Sequence, residues 1–462
     1  MAPLCARRKG AGESNHGFAE KGIDAMEMEH ENGGGPKIFY GWFVVSGLVG
    51  IAFFGPMGRY ILTSLFPFIM DDPGWSRQTI GLAFTIHFWV YALFAVLAGR
   101  LIDRIGGKRT IAAGGVLMLI GLICLALMRH IWQFYFIFGV LLAAAVSMTH
   151  FVPNTAIVRK WFVKKAGMAT GMVGVGTVIG LAALPPVISR ISAAMGWRSA
   201  CFICALGIGT MIILIALLVI KNTPESMGLK PYGEDTAVPA SSTDTGSALP
   251  GRLHELSLRQ SMRTRAFWYF FIVYSLTGIP LQGMLSHVII WGVETGVPPE
   301  NSGLIMAVLA LPSIPLRIMA GWLGDRFGKK QVLILFNLCA ALLWLWGWFF
   351  ISDGTSFFIF CLFLGFVYSA PFSLYTPFLG DIFGRFSVGT LMGIITLGHG
   401  IIGGTGPFLW GWIADVTGSY NINCLISAGC YLAIGIFLCM IDPLTAEKVR
   451  DHSDRVSPSR SI

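Results

Sequence analysis

Gly99-Arg-Leu-Ile-Asp-Arg-Ile-Gly-Gly-Lys-Arg109 returns 222 positions later (321 minus 99) as Gly321-Trp-Leu-Gly-Asp-Arg-Phe-Gly-Lys-Lys-Gln331. Gly99, Asp103, Arg104, Gly106 and Lys108 are matched by Gly321, Asp325, Arg326, Gly328 and Lys330. A charged, glycine-bearing stretch that recurs in the same order marks two related halves, with each copy expected in the loop after the second apolar run of its half. Glycine lets helices approach closely, and the aspartates can pair with basic groups or accept from a helix N-terminus. Gly99, Asp103, Arg104, Lys108, Gly321, Asp325, Arg326 and Lys330 therefore read as a latch that holds one closed conformation.

Around these copies the chain is apolar. Of its 462 residues 55% are hydrophobic and 12% charged, whereas a soluble domain carries about one quarter charged residues. The apolar residues gather into runs long enough to cross a hydrocarbon core as helices, about 20 residues each. Unpaired backbone groups are too costly in lipid, so helices or a closed barrel are required, and the runs lack the period-two alternation of barrel strands. The expected spans are 40–66, 77–101, 109–128, 131–157, 166–189, 198–220, 267–293, 301–323, 331–351, 355–380, 388–412 and 421–441. Six lie on each side of a segment, 221–266, that holds Pro224, Pro231 and a polar run from Pro239 to Ser247 and reads as a mobile linker. The expected fold is an all-α membrane protein with twelve transmembrane helices in two six-helix pseudo-repeat bundles, 40–220 and 267–442, and with polar tails at 1–39 and 443–462. The first tail has no apolar stretch of the secretory kind and reads as disordered.

Basic residues set the orientation, because loops that stay in the cytoplasm are enriched in them. One side carries Arg104, Lys108, Arg109, Arg159, Lys160, Lys164, Lys165, Arg326, Lys329, Lys330 and Arg385; the other carries Arg77, Arg129, Arg190 and Arg198. Both termini and the linker are thus expected in the cytoplasm and the chain in the cell membrane, working as a monomer. The net charge of +9 comes from these short loops and forms no basic face for nucleic acid. Eight of the nine cysteines lie in apolar runs, and the Cys201/Cys204 pair lacks the second pair that zinc would need. No nucleophile with an adjacent base and no phosphate loop lies in the spans, so neither an enzyme nor a cofactor is expected.

At the repeated stretch the chain resembles the major facilitator superfamily, whose loop signature reads G-x-L-x-D-R-x-G-x-K/R, and the resemblance covers residues 40–441. It implies a carrier that rocks two bundles around a central path.

The solute is read from the ionisable residues inside the spans, since a central arginine costs roughly 2.5 to 3.5 kcal/mol on insertion scales and is seldom there without a role. Arg59 and Arg317 lie inside the first and eighth spans, and His87, His150, His287 and His399 also fall within spans. No carboxylate occupies a span centre; Glu294, toward the outer end of the seventh span, comes nearest. An interior biased positive favours an anion, and the planar fork of Arg317 suits a carboxylate. Gly55, Pro56 and Gly58 are expected to break the first span and let water reach Arg59. His150 and Asn154 share one face of the fourth span, Tyr368 and Phe372 share one face of the tenth, and Tyr60 adjoins Arg59.

Arg317-Ile-Met-Ala-Gly321 resembles the eighth-span R-x-x-x-G of monocarboxylate transporters and the related oxalate/formate antiporters, as do Tyr40-Gly41-Trp42, Gly74-Trp75-Ser76-Arg77 and Lys160-Trp161-Phe162. The resemblance implies that Arg317 binds the substrate carboxylate and that Tyr368 and Phe372 line the cavity. It also marks two departures. Ser313 stands where animal monocarboxylate transporters have aspartate, and His399-Gly400 where the antiporters have lysine and glycine. A titratable group in place of a fixed charge favours a monoanion such as lactate, pyruvate, acetate or formate over oxalate. The expected partners are such an acid and either a proton, taken up through Glu294, His287 or His399, or a counter-anion.

Overall fold

The computed structural model describes residues 39–70, 74–233, 258–368, 370–383 and 388–441; both tails, most of the connecting segment and Arg385 lie outside the described residues. Twelve described helices are long and apolar enough to cross a bilayer: α1 Gly41–Ile69, α2 Arg77–Ile105, α3 Gly107–Leu127, α4 Ile131–Trp161, α5 Ala166–Met195, α6 Trp197–Leu218, α7 Arg265–Glu294, α8 Pro299–Phe327, α9 Lys329–Phe350, α10 Gly354–Phe383, α11 Thr390–Thr417 and α12 Asn421–Met440. Several run beyond the expected bounds, because long charged side chains such as Arg104 and Arg326 continue a last turn while their heads stay in water.

The repeated stretch is therefore mostly helix. Each copy is the end of one helix, a turn made by one glycine and the start of the next helix. Gly106 makes the first turn at φ 86° and ψ 155°, and Gly328 the second at φ 89° and ψ 133°. Other residues are strained in such conformations by about 1–3 kcal/mol. The same offset of 222 pairs two further positive-φ turns, Gly74 with Gly296 and Gly196 with Gly418. It also pairs two lysine contacts: Lys108 Nζ donates to the Leu217 carbonyl at 2.7 Å, and Lys330 Nζ to the Cys439 carbonyl at 3.0 Å. The last carbonyls of α6 and α12 have no helical donor and carry the negative end of the dipole, so a lysine satisfies and neutralises them together. Gly106→Ala would place its Cβ 2.5 Å from the Asn222 amide, and a fall in Tm of the detergent-purified protein is expected. An unchanged Tm would mean that this turn relaxes freely.

The two bundles, α1–α6 and α7–α12, meet at the end remote from the repeated stretch, through α2 with α11, α5 with α8 and α1 with α7. Backbones touch there. Gly81 lies on the Pro407 carbonyl, Gly411 on the Arg77 carbonyl and Gly303 on the Pro185 carbonyl, so that no Cβ fits. At the end bearing the repeat, the segments Phe151–Trp161 of α4 and Phe372–Phe383 of α10 pack chiefly within their own halves. The space between the bundles opens toward that end.

Proline and glycine shape the helices that line this space. α1 bends at Gly55–Pro56, as expected. α4 breaks at His150, with φ −100° and ψ −119°. Pro153 cannot donate to the Thr149 carbonyl, and the Asn154 amide donates to it instead at 3.4 Å. In α10 one helix ends at Tyr368 and another begins at Phe372, because Pro371 removes a donor and disfavours helix before it. Tyr368 and Phe372 therefore do not share one continuous helical face, contrary to expectation.

The connecting segment starts as part of the first bundle. Tyr232 N donates to the Trp161 carbonyl at 2.9 Å, Lys164 N donates to the Tyr232 carbonyl at 3.0 Å, and the Tyr232 ring joins Phe39, Trp42 and Phe162. The expected linker of 221–266 is thus docked as far as Gly233 and leads into α7 through a short helix, Leu258–Met262.

Candidate functional site

The closed end is held by an ion cluster that joins the bundles. Arg77 opens α2; its Nε donates to Glu294 Oε1 at 2.8 Å, its Nη2 lies 2.6 Å from the same oxygen, and its Nη1 reaches Asp415 Oδ1 at 3.3 Å. Asp415 also accepts from the Gln78 backbone N at 2.8 Å, which places a carboxylate from one half on the first turn of a helix in the other, where the dipole favours it. Behind the cluster, fully buried His287 bonds the Tyr420 hydroxyl through Nδ1 at 2.9 Å and the Pro407 carbonyl through Nε2 at 2.9 Å. A carbonyl only accepts, so Nε2 carries the proton and Nδ1 accepts from the phenol when the ring is neutral.

Deeper in, Arg59 of α1 is 8% exposed, and its guanidinium carbon lies 4.4 Å from the ring centroids of both Phe88 and Tyr91 on α2. These rings close over the position that the bend of α1 was expected to open to water. Arg59 Nε and Nη2 have no hydrogen-bond partner among the described residues. The two atoms form one edge of the guanidinium fork, the edge that gives two parallel bonds to a carboxylate. His87, whose Nδ1 is bonded to the Phe138 carbonyl at 2.9 Å, and His150 lie within electrostatic reach of Arg59. His87 Nε2, His150 Nδ1 and the amide oxygen of buried Asn154 also lack partners among the described residues. Although the helix breaks between them, His150 and Asn154 line one recess between α1, α4 and α5.

A buried guanidinium with no anion is costly, and its removal often stabilises a fold. Arg59→Met should therefore raise thermal stability by about 1 kcal/mol, since methionine suits a slot between two rings. A lowered Tm would show that the charge is compensated in the folded chain.

On the other half, Arg317 is exposed and lies within electrostatic reach of Tyr368, which lies against Ser313 and within electrostatic reach of Tyr60 of the first half. Tyr60 is coupled in turn to Tyr91 beside Arg59. Ser313 is buried and donates to the Ala310 carbonyl at 2.6 Å. Phe372 packs instead on Tyr274 and His399, at 5.8 and 6.1 Å between centroids. His399 Nδ1 is bonded to the Tyr274 carbonyl at 2.8 Å. Described acids stand only near helix ends and in loops, so the middle of the site carries cations and no described carboxylate.

The structure thus sets His150 and Asn154 on one recess with Arg59 in electrostatic reach of His150, sets Tyr368 against Ser313 in electrostatic reach of Arg317 and Tyr60, packs His399 and Phe372 on Tyr274, and puts Glu294 and His287 in the closed end. Asp103, Arg104, Asp325 and Arg326 are exposed, and among the described residues no ion pair joins them across the halves. Lys108 and Lys330 are engaged within their own halves. Arg77, Asp415, Tyr420, Phe88, Tyr91 and Tyr274 were not singled out beforehand as site residues. For Arg77 the available signal was a lone arginine, beside an N-capping serine, on the side poor in basic residues.

A sequence model of the Major Facilitator Superfamily matches residues 48–298 and 284–461. The chain is 23% identical to monocarboxylate transporter 4 of Rattus norvegicus over 426 residues, covering 87% of this chain and 84% of the relative. It is 23% identical to the phosphoglycerate transporter protein of Salmonella typhimurium, covering 87% and 88%. Among solved structures, the nucleoside transporter NupG superposes with a TM-score of 0.67 at 13% identity, covering 87% of this chain and all of that one. A bacterial homologue of the lysosomal transporter Spinster, inward-facing and occupied, gives 0.62 at 15% identity, covering 91% and 99%.

Proposed function

Because the chain belongs to the major facilitator superfamily, we propose that it is a secondary carrier that moves a small monocarboxylate across the cell membrane by alternating access. The observation that carries this reading is Arg317: an exposed cation on α8 with no acidic partner among the described residues, within electrostatic reach of Tyr368, which is itself within reach of Tyr60 of the opposite bundle. A guanidinium so placed suits a carboxylate that both halves can hold. A relative named as a monocarboxylate transporter, similar along most of the chain, supports the same class.

With the basic loops in the cytoplasm, the present state is open to the inside and closed outside by Arg77, Glu294 and Asp415. The acid enters, Arg317 neutralises it, and the inner ends close with Asp103, Arg104, Asp325 and Arg326 as the latch. Opening the outer end then parts Arg77 on α2 from Glu294 on α7. The freed carboxylate can accept a proton, which keeps the cycle electroneutral, and Glu294 is favoured over His399 and His287 for this role. His399 helps to wall the site, and His287 ties the outer closure together.

A second reading is exchange of two organic anions. Arg59 favours it, since an empty carrier must return with that guanidinium uncompensated, whereas a loaded one need not. Uptake of labelled lactate or acetate into proteoliposomes separates the two. An imposed pH gradient drives uptake in the first, and preloaded internal acid drives it in the second. Uptake that responds to neither would remove the carboxylate assignment.

A further inference from the structure

We infer that α11 changes shape during the transport cycle, and that Thr85 and Trp89 of α2 are positioning residues that hold it bent only while the outer end is closed. This rests on the alternating-access part of the reading above and on no choice of solute. α11 is interrupted at Gly403–Thr405, a short 3-10 helix between the α-helical stretches Val388–Ile402 and Gly406–Thr417. A continuous α-helix would bond the Ile401 carbonyl to the Thr405 N–H and the Gly404 carbonyl to the Phe408 N–H. Here the Ile401 carbonyl and the Phe408 N–H turn to the other bundle instead. The Trp89 indole donates to the Ile401 carbonyl at 2.9 Å, and the Phe408 N–H donates to Thr85 Oγ1 at 3.2 Å. Thr85 and Trp89 stand one turn apart on α2, so a single helix face supplies both partners. The Thr405 hydroxyl closes the bend by donating to the Ile402 carbonyl at 2.7 Å.

The internal repeat supplies a second, independent observation. Gly81 on the Pro407 carbonyl and Gly303 on the Pro185 carbonyl are one contact made twice, each residue 222 positions from its counterpart (303 minus 81, 407 minus 185). The same offset relates Gly403–Thr405 to residues 181–183, which lie inside the unbroken helix Ala166–Met195 of α5. It relates Thr85 and Trp89 to Ala307 and Leu311, whose side chains neither donate nor accept, and Phe408 to Pro186, which has no N–H. The break and the side chains that satisfy it thus occur together in one copy and are missing together from the other. When the outer end opens, α2 withdraws from α11 and takes both partners away. An unpaired backbone group is costly inside a membrane, so α11 closes its own bonds and becomes continuous. Three residues then advance by 100° each instead of 120°, which turns the inner part of the helix by about 60° against the outer part. His399 lies on the inner side of the break, bonded to the Tyr274 carbonyl at 2.8 Å, and the turn carries it off that partner. Outer closure is thereby tied to the wall of the central site.

The test reads the rate at which Ser302→Cys, buried where α5 meets α8, reacts with a maleimide in the full-length chain in detergent, with native cysteines replaced. No solute is needed, and the reporter lies on neither α2 nor α11. Trp89→Phe removes the indole donor and keeps a ring, and it should raise the rate about twofold to tenfold. Thr405→Pro locks the bend. Thr405 has φ −74° and ψ −17°, which proline accepts, whereas in a continuous helix proline loses the bond to the Ile401 carbonyl and clashes with it. With Thr405→Pro in place, Trp89→Phe should no longer raise the rate. Thr405→Ala removes the hydroxyl that closes the bend and improves helix propensity. It should raise the rate as Trp89→Phe does, and it carries the test if the proline variant does not fold. A rise of the same size with and without the proline would make Trp89 a plain strap between the bundles and overturn the inference. An unchanged rate in Trp89→Phe or in Thr405→Ala would overturn it too. A reporter that reacts in none of these variants, nor in Arg77→Gln, would mean that the outer end never parts, and would remove the alternating-access reading itself.

Discussion

Arg317→Gln is expected to lower carboxylate uptake more than a hundredfold while the protein remains folded. The guanidinium can give two hydrogen bonds to a carboxylate, each worth about 1.5–3 kcal/mol when a charge is involved. Glutamine removes the charge and the fork together. Lysine keeps the charge but loses the paired geometry, so Arg317→Lys should fall between, about tenfold to a hundredfold down. The residue is exposed and has no ion pair among the described residues, so neither change should lower Tm. Initial rates in proteoliposomes, set beside thermal unfolding of the same preparations, would measure both effects. Uptake at the wild-type rate in Arg317→Lys would show that the carboxylate is held elsewhere.

Arg77→Gln should act on the state of the carrier rather than on its grip. Arg77 joins two acids of the opposite half, through contacts of 2.6 to 3.3 Å, with side chains 22%, 28% and 23% exposed. Removing it leaves Glu294 and Asp415 close together without a cation. Each charge-assisted bond contributes about 1.5–3 kcal/mol, and partial exposure discounts this to roughly 1–3 kcal/mol for the cluster. The equilibrium should move toward an outward-open state by about fivefold to 150-fold. Ser302 makes a good reporter. It is buried in the closed contact, where its hydroxyl donates to the Pro299 carbonyl at 2.7 Å and lies 3.4 Å from the hydroxyl of Ser189 of the other half. With native cysteines replaced, a Ser302→Cys variant should react faster from outside with an impermeant maleimide once Arg77 is glutamine. Equal labelling rates would mean that the glycine contacts alone hold this end shut.

The twelve spans and the duplication could be read in the sequence because both are local or periodic signals. Apolar runs of the required length need no partner to be recognised, and the charged repeat keeps its order. What stayed hidden depends on long-range pairing. Arg77 finds Glu294 and Asp415 at separations of 217 and 338 residues, and nothing near any of the three announces the others. Arg59 was legible as a buried cation, yet the two rings that enclose it come from α2. Its expected hydration failed for that reason. The split between Tyr368 and Phe372 was legible in principle, since Pro371 stands between them; spacing by four outweighed the missing donor. His399 was placed correctly within its span, whereas its bond to the Tyr274 carbonyl depends on how α7 and α11 cross.

Gly81, Gly303 and Gly411 lay bare backbone against the carbonyls of the opposite half, and this has a mechanical consequence. Surfaces without side chains have no teeth to disengage, so one bundle can roll over the other with few rotamers to rearrange. Such a contact behaves as a smooth bearing, and the work of a transport cycle then falls on the charges around its rim.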